Sequence, residues 1–185
     1  MAEIIGMYRL QKGVSDRMLL DTKTRPEEKA SEILCEYTVK EEAINPVLIA
    51  EKLGVNVVNA EFTDASYSGA LQVDKSNIAT IYVKHDDTPE RKRFTIAHEL
   101  GHYLLHKDNR KDFIDNEETV FFRSGESNSQ LEREANDFAA NLLMPRERVL
   151  RKWEESADID LLRRYFGVST LAMKFRLKNL GLIFG

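Results

Sequence analysis

A single cysteine, Cys35, stands in this chain of 185 residues. No internal disulfide can form, and any metal has to be held by histidines and carboxylates. Long apolar runs are missing too. No stretch approaches the roughly eighteen consecutive apolar residues of a membrane helix, and the opening MAEIIGMYRL lacks the apolar core of a signal peptide. The expectation is a soluble, cytoplasmic protein with no membrane partner. Low-complexity tracts and internal repeats are absent as well.

What is present is ordinary globular material, 42% hydrophobic and 31% charged. A chain of this length can bury a proper core in one domain. The net charge of −4 argues against a broad nucleic-acid-binding surface. It is unevenly spread: from Arg146 onward nine Lys/Arg stand against five Asp/Glu, so this part carries +4 and residues 1–145 carry −8. The basic part reads either as a solvated helix face or as a surface for nucleic acid or an acidic partner.

There are only four prolines, and each punctuates a helix. Pro26 opens PEEKASEILCEY, Pro46 opens PVLIAEKL behind Asn45, and Pro89 opens a long helix to about His106 behind Thr88. Pro145 stops a helix that begins near Ser129. Gly54 ends the second helix, and VNVVNAEF then reads as a strand. YSGALQV and IATIYVK, split by Asp74-Lys75-Ser76-Asn77, read as a hairpin. Residues 107–118 read as a polar surface loop, and TVFFR as a short strand. Helices are expected at about 146–154, 158–166 and 169–180, the last two joined by Gly167-Val168-Ser169. Helices, then strands, then helices make an α+β pattern. The expected organisation is a loosely ordered start at 1–25, a main domain at 26–145 and a helical extension at 146–185.

His98-Glu99-Leu100-Gly101-His102 is H-E-x-x-H on an expected helix. Residues four apart share a helix face, so both imidazoles can reach one metal ion. Glu99, turned about 100° from His98, can address a water there as general base. A catalytic zinc takes a third protein ligand. His106 lies roughly 12 Å along the axis from His98, too far for three ligands at about 2.1 Å from one ion, and reads as a C-terminal histidine favoured by the helix dipole. Glu132 and Glu134 remain, on a second helix whose small Ala135, Ala139 and Ala140 allow close approach to Gly101. The two glutamates point to different faces, and spacing does not choose between them. Tyr67, His85 and Tyr103 are candidates for a further donor to the developing oxyanion, with none of them assigned.

RFTIAHELGHYLLH (93–106) together with EREANDFAANLLMP (132–145) resembles the ImmA/IrrE family of zinc metallopeptidases. The resemblance implies a zincin-like α+β domain with a small antiparallel sheet, followed by helix-turn-helix-like helices at 146–185. It implies Zn2+ held by His98, His102 and Glu134, the glutamate directly before Ala135-Asn136, with Glu99 catalytic and Asn136 supporting a ligand by a hydrogen bond. The implied activity is cleavage of a helix-turn-helix transcriptional repressor, which derepresses mobile-element, phage or stress genes. A strand within 67–84 would pair with extended substrate. Two alternatives stand beside this reading. One is a regulatory protein that binds a repressor without cutting it. The other is direct DNA binding through 158–180, with Arg163, Arg164, Lys174, Arg176 and Lys178 supplying charge.

Overall fold

Proline and turn chemistry set the order of the elements. The computed structural model describes residues 25–37, 43–106, 119–122 and 130–184. All but Arg25 of the segment expected to be loosely ordered at 1–25, and the expected loop at 107–118, lie outside them. Helices α1 (Pro26–Glu36) and α2 (Pro46–Lys52) both begin on proline, whose fixed φ suits a first turn and whose missing N–H is not needed there. Asn45 caps α2 by accepting from the Val47 amide at 3.1 Å. Gly54, at φ +72°, turns the chain into β1 (Val55–Ala60). Strands β2 (Gly69–Val73) and β3 (Ala79–Lys84) form the expected hairpin. The Asp74 carboxylate closes its turn, accepting from the amides of Ser76 at 2.9 Å and Ile78 at 2.8 Å. There follow α3 (Pro89–His106), β4 (Thr119–Phe122), α4 (Gln130–Leu143), α5 (Arg146–Glu155), α6 (Ile159–Phe166) and α7 (Thr170–Asn179).

The α+β class is as expected, but the sheet is mixed rather than antiparallel throughout. Its order is β1-β3-β2-β4, with β3 antiparallel to β2, β2 antiparallel to β4, and β1 parallel to β3. Residues 61–68 carry the chain past one strand position, about 10 Å for two inter-strand spacings. The β2–β3 hairpin then folds back and β3 fills the gap beside β1. Alternation in β3 fixes the sheet's buried face: Ala79, Ile81 and Val83 are buried, while Thr80, Tyr82 and Lys84 are only partly covered. Leu71 lies opposite Ile81 in the ladder and extends that face.

The core does not end with α4. Leu162, Phe166, Met173 and Leu177 belong to the same buried cluster as Ile81, Leu100 and Phe138. Asp158 caps α6 through its carboxylate, Gly167 takes φ +63°, and the Ser169 hydroxyl caps α7. Two arginines hold this helical pair in place. Arg93 on α3 donates to the carbonyls of Ile44 (2.7 Å), Gly167 (3.0 Å) and Phe166 (3.3 Å). Arg176 on α7 is buried and donates to the Met144 carbonyl at 3.0 Å and to Asn141 Oδ1 at 2.7 Å.

Candidate metal centre

Close approach of α3 and α4 builds the site. A Cβ added at Gly101 would lie 3.0 Å from Ala135 Cα and 3.2 Å from its carbonyl oxygen, so backbone meets backbone here. Within one turn of that contact, side chains converge. Nε2 of His98 and Nε2 of His102 are 3.0 Å apart. The Glu132 carboxylate reaches His98 Nε2 at 3.4 Å and His102 Nε2 at 3.2 Å. Hydrogen bonding to His102, then to His98, holds the Glu132 carboxyl well below the usual carboxylate range, so it contributes a negative charge.

The donor set suits a divalent ion. Two imidazole nitrogens and one carboxylate oxygen lie within 4.8 Å of one another. Ligands at about 2.0–2.1 Å in a tetrahedral shell are separated by roughly 3.3 Å, close to the 3.0–3.4 Å found here. Nδ1 of His98 is 2.9 Å from Asn136 Oδ1. The amide oxygen can only accept, so a ring proton sits on Nδ1, and Nε2, once it gives up the proton it shares with Glu132, offers its lone pair to a metal. His98 is fully buried and Glu99 nearly so.

Glu134, which the resemblance implied as third ligand, is not in this group; Glu132 takes that place. Residues two apart on a helix diverge by roughly 200°, so only one of the pair can face the α3 histidines. The Gly101–Ala135 contact sets the register that selects Glu132. Glu134 Oε2 lies instead 2.9 Å from Nε2 of His106, and Oε1 accepts from the Gln130 amide at 2.8 Å. His106 is no simple dipole-favoured terminus either. It is buried, and its Nδ1 is 3.1 Å from Nδ1 of His102. The 98-102-106 spacing was the sequence signal for this stacking along one face.

Strand β2 begins over Glu99. A Cβ at Gly69 would lie 2.2 Å from Thr95 Cγ2 and 3.5 Å from Glu99 Oε1, so only glycine fits without displacement. Ser68 beside it is pinned from α3: its hydroxyl accepts from Arg91 Nε at 3.1 Å and Nη2 at 2.9 Å. Neither residue stands out in the sequence. Substrate pairing was expected within 67–84, but among the described residues β2 and β3 are inner strands and the sheet edges are β1 and β4. His85 sits at the surface, 2.8 Å from Asp86. Of the basic residues offered to DNA, Arg176 is buried in the core contact with α4, and Arg163 pairs with Asp160 at 2.7 Å.

Among the described residues no helix is long and apolar enough to cross a membrane. No curated protein sequence matches the chain. A solved structure described as a Mycobacterium tuberculosis transcriptional regulator shares the fold, with a TM-score of 0.57 at 22% identity over 83% of this chain. The chain spans 46% of that protein's length. Residues 50–178 match a peptidase family described as the IrrE N-terminal-like domain. This range takes in both helices of the histidine–carboxylate site, and the chain therefore belongs to that metallopeptidase family, the ImmA/IrrE family its motifs resemble.

Proposed function

We propose that this chain is a zinc-dependent endopeptidase of the cytoplasm that cleaves a helix-turn-helix transcriptional repressor and so derepresses mobile-element, phage or stress genes. One observation carries the enzymatic part. The Nε2 atoms of His98 and His102 and the carboxylate of Glu132 meet at metal-ligand separations, and Glu99, next to His98 in the chain, is buried. When bound, zinc supplies a Lewis acid that makes water more acidic and polarises a peptide carbonyl. The chain's own residues do the rest. His98 and His102 present neutral nitrogens, and Glu132 supplies charge. Glu99 takes a proton from the attacking water at its carboxylate and delivers it to the departing amide nitrogen, which restores the carboxylate as the C–N bond breaks. The repressor as substrate rests on the family to which the chain belongs.

The test compares the wild-type chain with Glu99→Gln, each expressed at equal level in the source cells. New protein N-termini are then mapped by mass spectrometry, and zinc is measured in the purified proteins. Glu99→Gln is expected to keep one zinc and to lose cleavage by about 10²–10⁴-fold, with a repressor among the proteins cut only by wild type. Identical N-termini from both zinc-loaded proteins, with the same change in gene expression, would instead mark a regulator that acts by binding alone.

A further inference from the structure

We infer that His106 and Glu134 form an outer relay that orients His102 toward the metal, so that these two residues are positioning residues rather than ligands. This rests on the zinc site proposed above. Its basis is a row of contacts running away from that site. His102 uses Nε2 toward His98 and Glu132, and its Nδ1 lies 3.1 Å from Nδ1 of His106. The other nitrogen of His106, Nε2, is 2.9 Å from Glu134 Oε2, and Glu134 Oε1 accepts from Gln130 at 2.8 Å.

Donor and acceptor roles follow from the ends inward. A carboxylate only accepts, so His106 carries its proton on Nε2 and donates it to Glu134. Nδ1 of His106 is then an acceptor. His102 fills it with its Nδ1 proton, which leaves the His102 Nε2 lone pair for the metal. Each group in the row has one consistent role, and Glu134 fixes the tautomer of His102 from two side chains away. Burial makes this selective. His106 is 5% exposed, so water does not compete freely for either ring nitrogen. His98 is fixed through Asn136 on α4 and His102 through His106 on α3, so the two ligands are oriented from two different helices.

The experiment measures zinc affinity by competition with a chromogenic chelator for the wild-type chain, His106→Ala, Glu134→Ala and Glu134→Gln. Histidine nitrogen NMR on the zinc-loaded proteins reads the His102 tautomer. We expect His106→Ala to bind zinc about 10–100-fold more weakly and Glu134→Ala to weaken it in the same direction. Glu134→Gln, which keeps an accepting oxygen, should recover much of the loss. The His102 Nδ1–H signal should shift or broaden in both alanine variants. If His106→Ala fails to fold, the two Glu134 variants decide alone. Wild-type affinity and an unchanged His102 signal in the folded alanine variants would overturn the relay and leave the zinc site standing. A wild-type chain that takes up no zinc would overturn the site itself and the relay with it.

Discussion

Asn136 Oδ1 lies 2.9 Å from Nδ1 of His98, across the contact between α3 and α4. One hydrogen bond thus fixes both the ring orientation of His98 and the position of its proton. Asn136→Leu keeps the approximate volume and removes the acceptor. We expect it to weaken zinc binding by about 10–100-fold. Asn136→Asp, which still accepts, should stay within about tenfold of wild type. Chelator competition measures both. Unchanged affinity in Asn136→Leu would show that the bond does not orient a ligand.

Glu132 and Glu134 are adjacent in motif and opposite in consequence. Glu132 touches both imidazoles, whereas Glu134 touches His106. Glu132→Ala is expected to lose stoichiometric zinc, because two neutral nitrogens remain with no charged partner. Glu134→Ala should retain zinc with reduced affinity. Metal content after gel filtration distinguishes them. Zinc retained by Glu132→Ala and lost by Glu134→Ala would restore Glu134 as the third ligand.

Gly101 bears on stability and on the site together. Alanine in mid-helix ordinarily gains about 1 kcal/mol over glycine. Here the new methyl meets Ala135 Cα at 3.0 Å and Phe138 Cδ1 at 3.2 Å, and backbone cannot swing aside as a side chain would. Overpacking of this kind costs about 1–3 kcal/mol, so the clash wins. We expect Gly101→Ala to lower stability by about 1 kcal/mol, read from urea midpoints at constant slope, and to weaken zinc as α4 moves off α3. A midpoint above wild type would mean the helices have room to spare.

How much of this was legible beforehand depends on the range of the physics. Helix starts were readable because proline and cap residues act within one turn: Pro26, Pro46 and Pro89 all stand at first helical positions. His98 and His102 were readable because a four-residue spacing defines a face. Turn chemistry gave the hairpin at Asp74–Asn77. The parallel pairing of β1 with β3 was not legible, since residues 61–68 carry no signal of which edge they lead to. The choice between Glu132 and Glu134 needed the rotation of α4 about its own axis, which is set by Gly101 against Ala135 and by the packing of Phe138. Gly69 and Ser68 were missed for the same reason: their importance lies in what α3 places against them.

Arg93 makes the last case, and it concerns the core behind the site. Its guanidinium spans three carbonyls, those of Ile44, Phe166 and Gly167, which belong to two separate segments. Burial pushes its pKa below the usual arginine value, yet the shift leaves so basic a group charged at neutral pH. Removing it strands acceptors that water reaches poorly, at about 1–3 kcal/mol for each left unpaired. Some carbonyls will find solvent after local relaxation, so Arg93→Ala should cost about 3 kcal/mol rather than the full sum. Arg93→Lys should recover little, because a point ammonium cannot match a planar fork across three oxygens. Both are read from urea unfolding of the metal-free protein, which separates the effect from zinc binding. Losses under about 0.5 kcal/mol in Arg93→Ala would show that the α6–α7 turn is held by apolar packing of Phe166 and Val168 alone.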